Sequence, residues 1–200
     1  MADFVYLASQ SPRRRQLLEQ LGVHYELLLP DADEDAEALE VIKKNEAPAV
    51  YVKRVTGLKL DAAAARMKYR QLPSAPILCS DTTVAMGRII YGKPGDDNDA
   101  VRMLRELVGR THRVLTAVAV QQGPHRFEAL STSRVTFDAM SVVQIMSYVA
   151  SGESMGKAGA YAVQGRAAEY IASIHGSYSG IMGLPLRETA LLLRAAGFKI

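Results

Sequence analysis

A single cysteine and no tryptophan occur among 200 residues. With Cys79 alone, an intramolecular disulfide and any multi-cysteine metal site are excluded. Its position at the end of the apolar run Ala75-Pro76-Ile77-Leu78-Cys79 marks it as a small buried hydrophobe rather than a nucleophile. Histidine is sparse as well. His24, His112, His125 and His175 form no His-x-x-x-His or His-Glu-x-x-His spacing, so zinc hydrolysis lacks its ligands. No Gly-x-x-x-x-Gly-Lys-Ser/Thr occurs, which argues against P-loop ATPases and kinases, and no Gly-x-Ser-x-Gly elbow supports a serine esterase. Long apolar runs are missing too. Val114 to Val120, interrupted by Thr116, falls well short of the ~20 residues that span a bilayer. Met1 to Leu7 carries no basic segment ahead of polar Ser9 and Gln10, so neither a secretory signal nor a membrane partner is expected, and the cytoplasm is the expected compartment.

What is present is a globular composition: 48% hydrophobic and 22% charged residues, with 24 basic against 21 acidic side chains. At this length about 70% of the unfolded chain's surface can be buried without covalent staples. The net charge of +3 is too small to point to nucleic acid. Patterning predicts a mixed α/β chain. Short strands are expected at Phe4 to Ala8 and Tyr25 to Leu29, and a helix opens at Ser11-Pro12. A long helix should run from Pro48 to about Tyr69. Pro76 to Ser80 reads as a strand ending at Asp81, followed by a hairpin over Thr83 to Tyr91 that turns at Gly87-Arg88. A helix is expected over Ala100 to Val108. The alternating segments His112 to Gln121 and Arg126 to Phe137, joined at Gly123-Pro124, suggest a central antiparallel pair. Ser141 with Gln144 is a capping box for a helix through Ala150. A strand near Tyr170 to His175 and a helix from Pro185 to Ala196, stopped by Gly197, complete the chain. With no repeat, low-complexity tract or long linker, one domain spanning residues 1–200 is expected.

Four stretches have the residue types for chemistry on a polyanion. Ser9-Gln10-Ser11-Pro12-Arg13-Arg14-Arg15 puts guanidinium groups at a helix start, where free amides and the dipole already favour an anion. Cations there are unfavourable without one. Asp81-Thr82-Thr83 offers a carboxylate for a divalent cation or a water, although a turn-forming aspartate is the plainer reading. The acidic run Asp31-Ala32-Asp33-Glu34-Asp35 can hold Mg²⁺ through one or two carboxylates, or simply be solvated. Lys157-Ala158-Gly159-Ala160-Tyr161-Ala162-Val163-Gln164-Gly165 combines small residues with Gln164, a side chain able to donate to and accept from a base edge. Lys59 and Lys93 are ordinary in isolation, though Gly92-Lys93-Pro94 is a stiff loop.

In chain order, Ser9-x-Ser11-Pro12-Arg13-Arg14, Glu34, Lys59, Ser80-Asp81-Thr82-Thr83-Val84, Gly92-Lys93-Pro94, Gly109-x-Thr111-His112, Lys157-Ala158-Gly159-Ala160-Tyr161-x-x-Gln164-Gly165, and Gly176-Ser177-Tyr178 with Gly183-Leu184-Pro185 resemble the Maf family of nucleoside triphosphate pyrophosphatases. The resemblance covers nearly the whole chain. It implies a twisted mixed sheet with flanking helices in two lobes around a cleft, similar to the inosine triphosphatase architecture. It also implies a cleavage between α- and β-phosphates that depends on a divalent metal, Mg²⁺ or Mn²⁺. Carried over by residue, Asp81 is the catalytic acidic group, with Lys59 and Lys93 beside it in the chemistry. Ser9, Arg13 and Arg14 handle phosphate, and Glu34 joins Asp81 on the metal. Arg13, Thr82 and Gln164 match the positions that separate a dTTP/UTP-type branch from a 7-methyl-GTP branch. One departure is Thr83, a polar residue after Asp81-Thr82. The expected partner is a small nucleoside triphosphate, and a homodimer remains open. The competing class is a non-catalytic regulator, such as one of cell division, that binds nucleotide or nucleic acid through Arg13 to Arg15. It is disfavoured because only 6% of residues are aromatic and the basic run is one helical turn.

Overall fold

Residues 2–31, 34 and 38–200 are described by the computed structural model. The frame is a seven-stranded sheet made of β1 (Val5–Leu7), β2 (Tyr25–Leu27), β3 (Ile77–Met86), β4 (Ile89–Tyr91), β5 (Thr111–Gln122), β6 (His125–Phe137) and β7 (Ile171–His175). The helices are α1 (Pro12–Gln20), α2 (Pro48–Tyr69), α3 (Asp97–Leu107), α4 (Val142–Ala150), α5 (Tyr178–Met182) and α6 (Leu186–Ala195). The strand order is β2-β1-β3-β5-β6-β7, with β4 also on β3. β1 lies parallel to β2 and β3, and the pairings from β3 through β5 and β6 to β7 are antiparallel. Among the described residues no helix is long and apolar enough to cross a membrane.

The expected central pair forms as read. β5 and β6 pair from Thr111 against Thr136 to Gln122 against His125, and Gly123 takes the left-handed φ of 55° that opens their two-residue turn. Pro48 starts α2 at its first turn, and Ser141 and Gln144 cap α4 reciprocally. Cys79 is fully buried among Tyr6, Leu60, Ala63 and Ala119, and burial pushes its thiol up to about 12. It is the inert hydrophobe expected.

One reading is corrected. Asp81 does not end a strand: β3 continues through it to Met86, with Asp81 opposite Ala117 of β5. The reason lies on the other edge of β3. Ile77 and Leu78 pair with β1, Val84 to Met86 pair with β4, and among the described residues no strand covers 79–83 between them. The polar Ser80-Asp81-Thr82-Thr83 segment sits in that gap, fully supported on the β5 side. The loops leaving β1 and β4 flank it. A strand interior thus acquires the opening usually found beyond a strand's end.

Alternation along β3 distributes this segment between the two faces. Cys79 packs with α2 residues, whereas Leu78 joins Val118, Val120, Leu184 and Leu193. A further core gathers α3, α4 and the loop around Tyr161 against Val84, Val114 and Val135. A cavity of about 480 Å³ lies where these cores meet.

Candidate active site

The cavity is lined by six cationic side chains, Arg13, Arg14, Lys59, Arg66, Lys93 and Lys157, against the carboxylates Glu40 and Asp81. Its centre is a chain of charges. Lys59 Nζ, reaching from α2, donates to Asp81 Oδ1 at 2.6 Å and to Glu40 Oε1 at 2.7 Å. Lys93 Nζ lies 3.2 Å from Glu40 Oε2. Asp81 is only 7% exposed, and a carboxylate that deep is stable when paired in this way. Burial alone would depress the Lys59 ammonium; the adjoining Asp81 and Glu40 carboxylates outweigh it and hold its pKa above the usual lysine value. Burial likewise opposes ionisation of Glu40, and Lys59 and Lys93 overcome it.

The face of β3 carrying Ser80 and Thr82 is braced by an arginine. Arg14 donates through Nε to the Gly183 carbonyl at 2.8 Å, through Nη1 to Ser9 Oγ at 3.1 Å and through Nη2 to Thr82 Oγ1 at 3.5 Å. Thr82 Oγ1 also contacts Thr116 Oγ1 at 2.9 Å, and Ser80 Oγ donates to Ala117 and Gly183 carbonyls. The basic start of α1 is therefore partly structural: Arg14 ties that helix to β3 and α5. Arg13 has no such anchor. It lines the cavity, and burial and the charge of Arg14 lower its pKa. Lys157 is similarly depressed by burial and by Arg13. Two half-buried cations that repel one another mark a place where an anion is stabilising.

Of the residues expected from sequence, Ser9, Arg13, Arg14, Lys59, Asp81, Thr82, Lys93 and Gln164 all line this one cavity. Glu34 is not itself among the lining residues but adjoins one of them. It holds Arg66 through a two-point contact, Nε to Oε1 at 2.8 Å and Nη2 to Oε2 at 2.5 Å. The Arg66 hydrogen bonds lead its pKa down to about 2. Asp33 and Asp35 of the acidic run lie outside the described residues. Glu40, which sequence reasoning missed, occupies the place beside Asp81. Nothing marks it in the sequence except its isolation between Leu39 and Val41. Arg66 was also missed, although it follows Lys59 by seven residues and so shares its face of α2. No cluster of three or more metal-ligating side chains occurs among the described residues. Two carboxylates do suit Mg²⁺, which takes one or two from a protein and completes its shell with phosphate and water.

The same cavity is also lined by the small and apolar residues Ala158, Ala162, Val163 and Ile181, and by Gln164. Tyr161 anchors the 158–164 segment. Its hydroxyl meets His112 Nε2 at 2.8 Å, and its ring packs edge-on against Phe137. Burial pushes His112 down to about 4, so the pair stays neutral near pH 7.

A mixed α/β sheet with a cation-rich, partly apolar cavity at an interrupted strand edge defines a protein built to take a polyphosphate attached to a flat ring. The chain belongs to a known family of that kind: residues 4–196 match the model described as Maf-like protein. It is 72% identical over 199 residues to the dTTP/UTP pyrophosphatase of Polaromonas sp. strain JS666, covering 100% of this chain and 98% of that one. It is 68% identical over 200 residues to the dTTP/UTP pyrophosphatase of Albidiferax ferrireducens, covering 100% of both chains. The protein of the same name from Cupriavidus pinatubonensis is 63% identical, with 98% of each chain covered.

Proposed function

We propose that the protein hydrolyses dTTP and UTP, and 5-modified relatives, to the nucleoside monophosphate and pyrophosphate. The observation that carries the reading is the Asp81–Lys59–Glu40–Lys93 chain at the gap in β3, lining one cavity with small apolar residues and Gln164. A triphosphate brings about four negative charges, and catalysis of phosphoryl transfer is chiefly their placement and neutralisation. Arg13, Arg14, Lys59, Lys93 and Lys157 supply the opposing charge. Asp81 is the general base: a water attacks the α-phosphorus, the bond to the β-phosphate oxygen breaks, and the water's proton passes to the carboxylate. Lys59 holds that carboxylate in place through its 2.6 Å contact with Oδ1.

Asp81 and Glu40 are the residues that would hold a divalent cation, which supplies further neutralisation of the phosphates when bound. Gln164 presents a donor and an acceptor, matching the N3–H and O4 edge shared by thymine and uracil. A cationic purine such as that of 7-methyl-GTP favours an acidic or aromatic partner, where this chain has the neutral Gln164. Acceptance of both ribose and deoxyribose follows from reading the base rather than the sugar.

The test is product chromatography of the purified protein with dTTP, UTP, CTP, GTP and 7-methyl-GTP in Mg²⁺ or Mn²⁺. Monophosphate plus pyrophosphate from dTTP and UTP is expected. Diphosphate plus inorganic phosphate would move the cleavage to the γ-phosphate and overturn the mechanism. A kcat/KM highest for 7-methyl-GTP would overturn the substrate. No turnover of any nucleotide would favour the binding protein instead.

A further inference from the structure

The segment that carries Gln164 has little regular structure of its own. A 3₁₀ turn over Ala158–Ala160 and another over Arg166–Tyr170 bracket it. Within the bracket, the Gly165 amide alone finds a backbone acceptor among the described residues, the Ala162 carbonyl at 3.0 Å. Such a segment holds a side chain in place only if something outside it does the holding. Two side chains from one source do so. Tyr148 of α4 accepts the Ala162 N–H through its hydroxyl at 3.3 Å. Glu153, three residues beyond α4, accepts the Arg166 N–H through both carboxylate oxygens, at 3.2 and 3.0 Å. Gln164 therefore lies between two pinned amides.

Gly165 gives the second and independent sign. Its φ of −103° is open to any residue, so no turn geometry calls for glycine. A Cβ there would instead run into the Glu153 carboxylate. The carboxylate would have to leave its place to admit one, so the glycine and the seated Glu153 side chain go together. The source is itself rigid: α4 begins in a reciprocal capping box, and its end is turned by Ser151, whose Oγ donates to the Tyr148 carbonyl at 2.6 Å and accepts the Glu153 N–H at 3.4 Å.

We propose that Glu153 is a positioning residue for the base end of the site, its carboxylate seated against Gly165 and bonded to the Arg166 amide so that the turn over residues 162–165 presents Gln164 to the pyrimidine. It touches no phosphate and does no chemistry. The proposal rests on the reading of Gln164 as the base-facing side chain and deepens it.

The experiment compares a ligand with a base and one without. KM and kcat for dTTP, and the inhibition constant of inorganic tripolyphosphate, are measured for the wild type, Glu153→Ala, Glu153→Gln, Gly165→Ala, Gln164→Ala and the Glu153→Ala/Gln164→Ala pair. Glu153→Ala and Gly165→Ala should each raise KM for dTTP about tenfold with kcat nearly unchanged and tripolyphosphate inhibition unmoved. Glu153→Gln, which keeps an acceptor oxygen, should restore most of the loss. The double variant should be no worse than Gln164→Ala, because both changes remove one interaction. An unchanged KM in Glu153→Ala, or a parallel weakening of tripolyphosphate, overturns the proposal, since mere loss of stability would not separate the two ligands. A rise in KM with Glu153→Ala but none with Gln164→Ala upholds Glu153 as the brace and removes Gln164 as the reader.

Discussion

The two ends of the cavity are built by opposite means. At the proposed phosphate end three charged groups stand on long elements, Asp81 on a ten-residue strand and Lys59 and Arg66 on a helix of 22 residues, while Glu40 and Lys93 join them from a 3₁₀ turn and a loop. At the base end, Gln164 stands on a turn held by side chains of a neighbouring helix. The difference follows from what each end must do. Charge developing on a phosphate is stabilised only by groups that are already in position, and regular elements give that precision without further support. A base is recognised by a flat edge and an apolar wall, and a turn can be altered residue by residue without disturbing the sheet. Within this division, chemistry should be sensitive to single residues at the first end, and selectivity to braces at the second.

The largest expected effect is at Asp81. Asp81→Asn keeps the shape and removes the base, so turnover should fall by about 10²- to 10⁴-fold, with the melting temperature held because Lys59 keeps Glu40. Near-normal turnover in a folded variant would break the comparison at its stronger end. Lys59→Ala should follow, with a loss on the order of 10²- to 10³-fold in kcat/KM, as for a missing oxyanion donor. Lys93, whose side chain is 45% exposed, should cost less. Arg14→Ala is expected to lose stability as well as turnover, since its guanidinium links Ser9, Thr82 and Gly183. If Arg14→Ala leaves the melting temperature unchanged, the structural half of its role falls.

Much of this division was legible in the sequence, for reasons that can be given residue by residue. Proline at a first turn, strict alternation on either side of Gly123-Pro124 and the Ser141/Gln144 pair are local signals, and α2, the β5–β6 hairpin and α4 appear where those signals put them. The gap in β3 was not legible. Asp81 reads as a strand end because aspartate is depleted in strands, although the threonines after it favour them, and only the change of partner from β1 to β4 shows why the backbone runs on. Glu40 was hidden for a related reason: a lone carboxylate between apolar residues gives no pattern, whereas the Asp31 to Asp35 run gives an obvious one. The short α5 escaped as well, being a single turn stopped at Gly183.

Acidification tests the base end through His112. The imidazole's folded value of about 4 lies below its ordinary 6.5, so the unfolded chain binds the proton more readily. The stability this contributes is fully present above pH 6.5 and is lost as pH falls from 6.5 toward 4. A shift of this size corresponds to up to about 3 kcal/mol. Melting temperatures between pH 7 and 4.5 should decline in the wild type and decline less steeply in His112→Phe. Equal slopes would mean that His112 is protonated within the fold and that the Tyr161 anchor is not a neutral pair.

The smallest effect expected decides which acidic residue belongs to the phosphate end. Glu34 is engaged by Arg66 and receives the Asp31 amide at 3.1 Å, whereas Glu40 shares Lys59 with Asp81. A carboxylate already committed to a bidentate guanidinium offers little to a cation, and removing it leaves Arg66, only 8% exposed, without its partner. Glu34→Gln should thus lower the melting temperature by roughly 3–6 °C and leave Mn²⁺ affinity, followed by the electron paramagnetic resonance of the free ion, as it was. Glu40→Gln should do the reverse, weakening Mn²⁺ about tenfold at nearly constant melting temperature. The readout is binding alone, so it is independent of turnover. If instead Glu34→Gln releases the ion and Glu40→Gln does not, Glu34 rather than Glu40 is the cation's carboxylate and must exchange Arg66 for the cation.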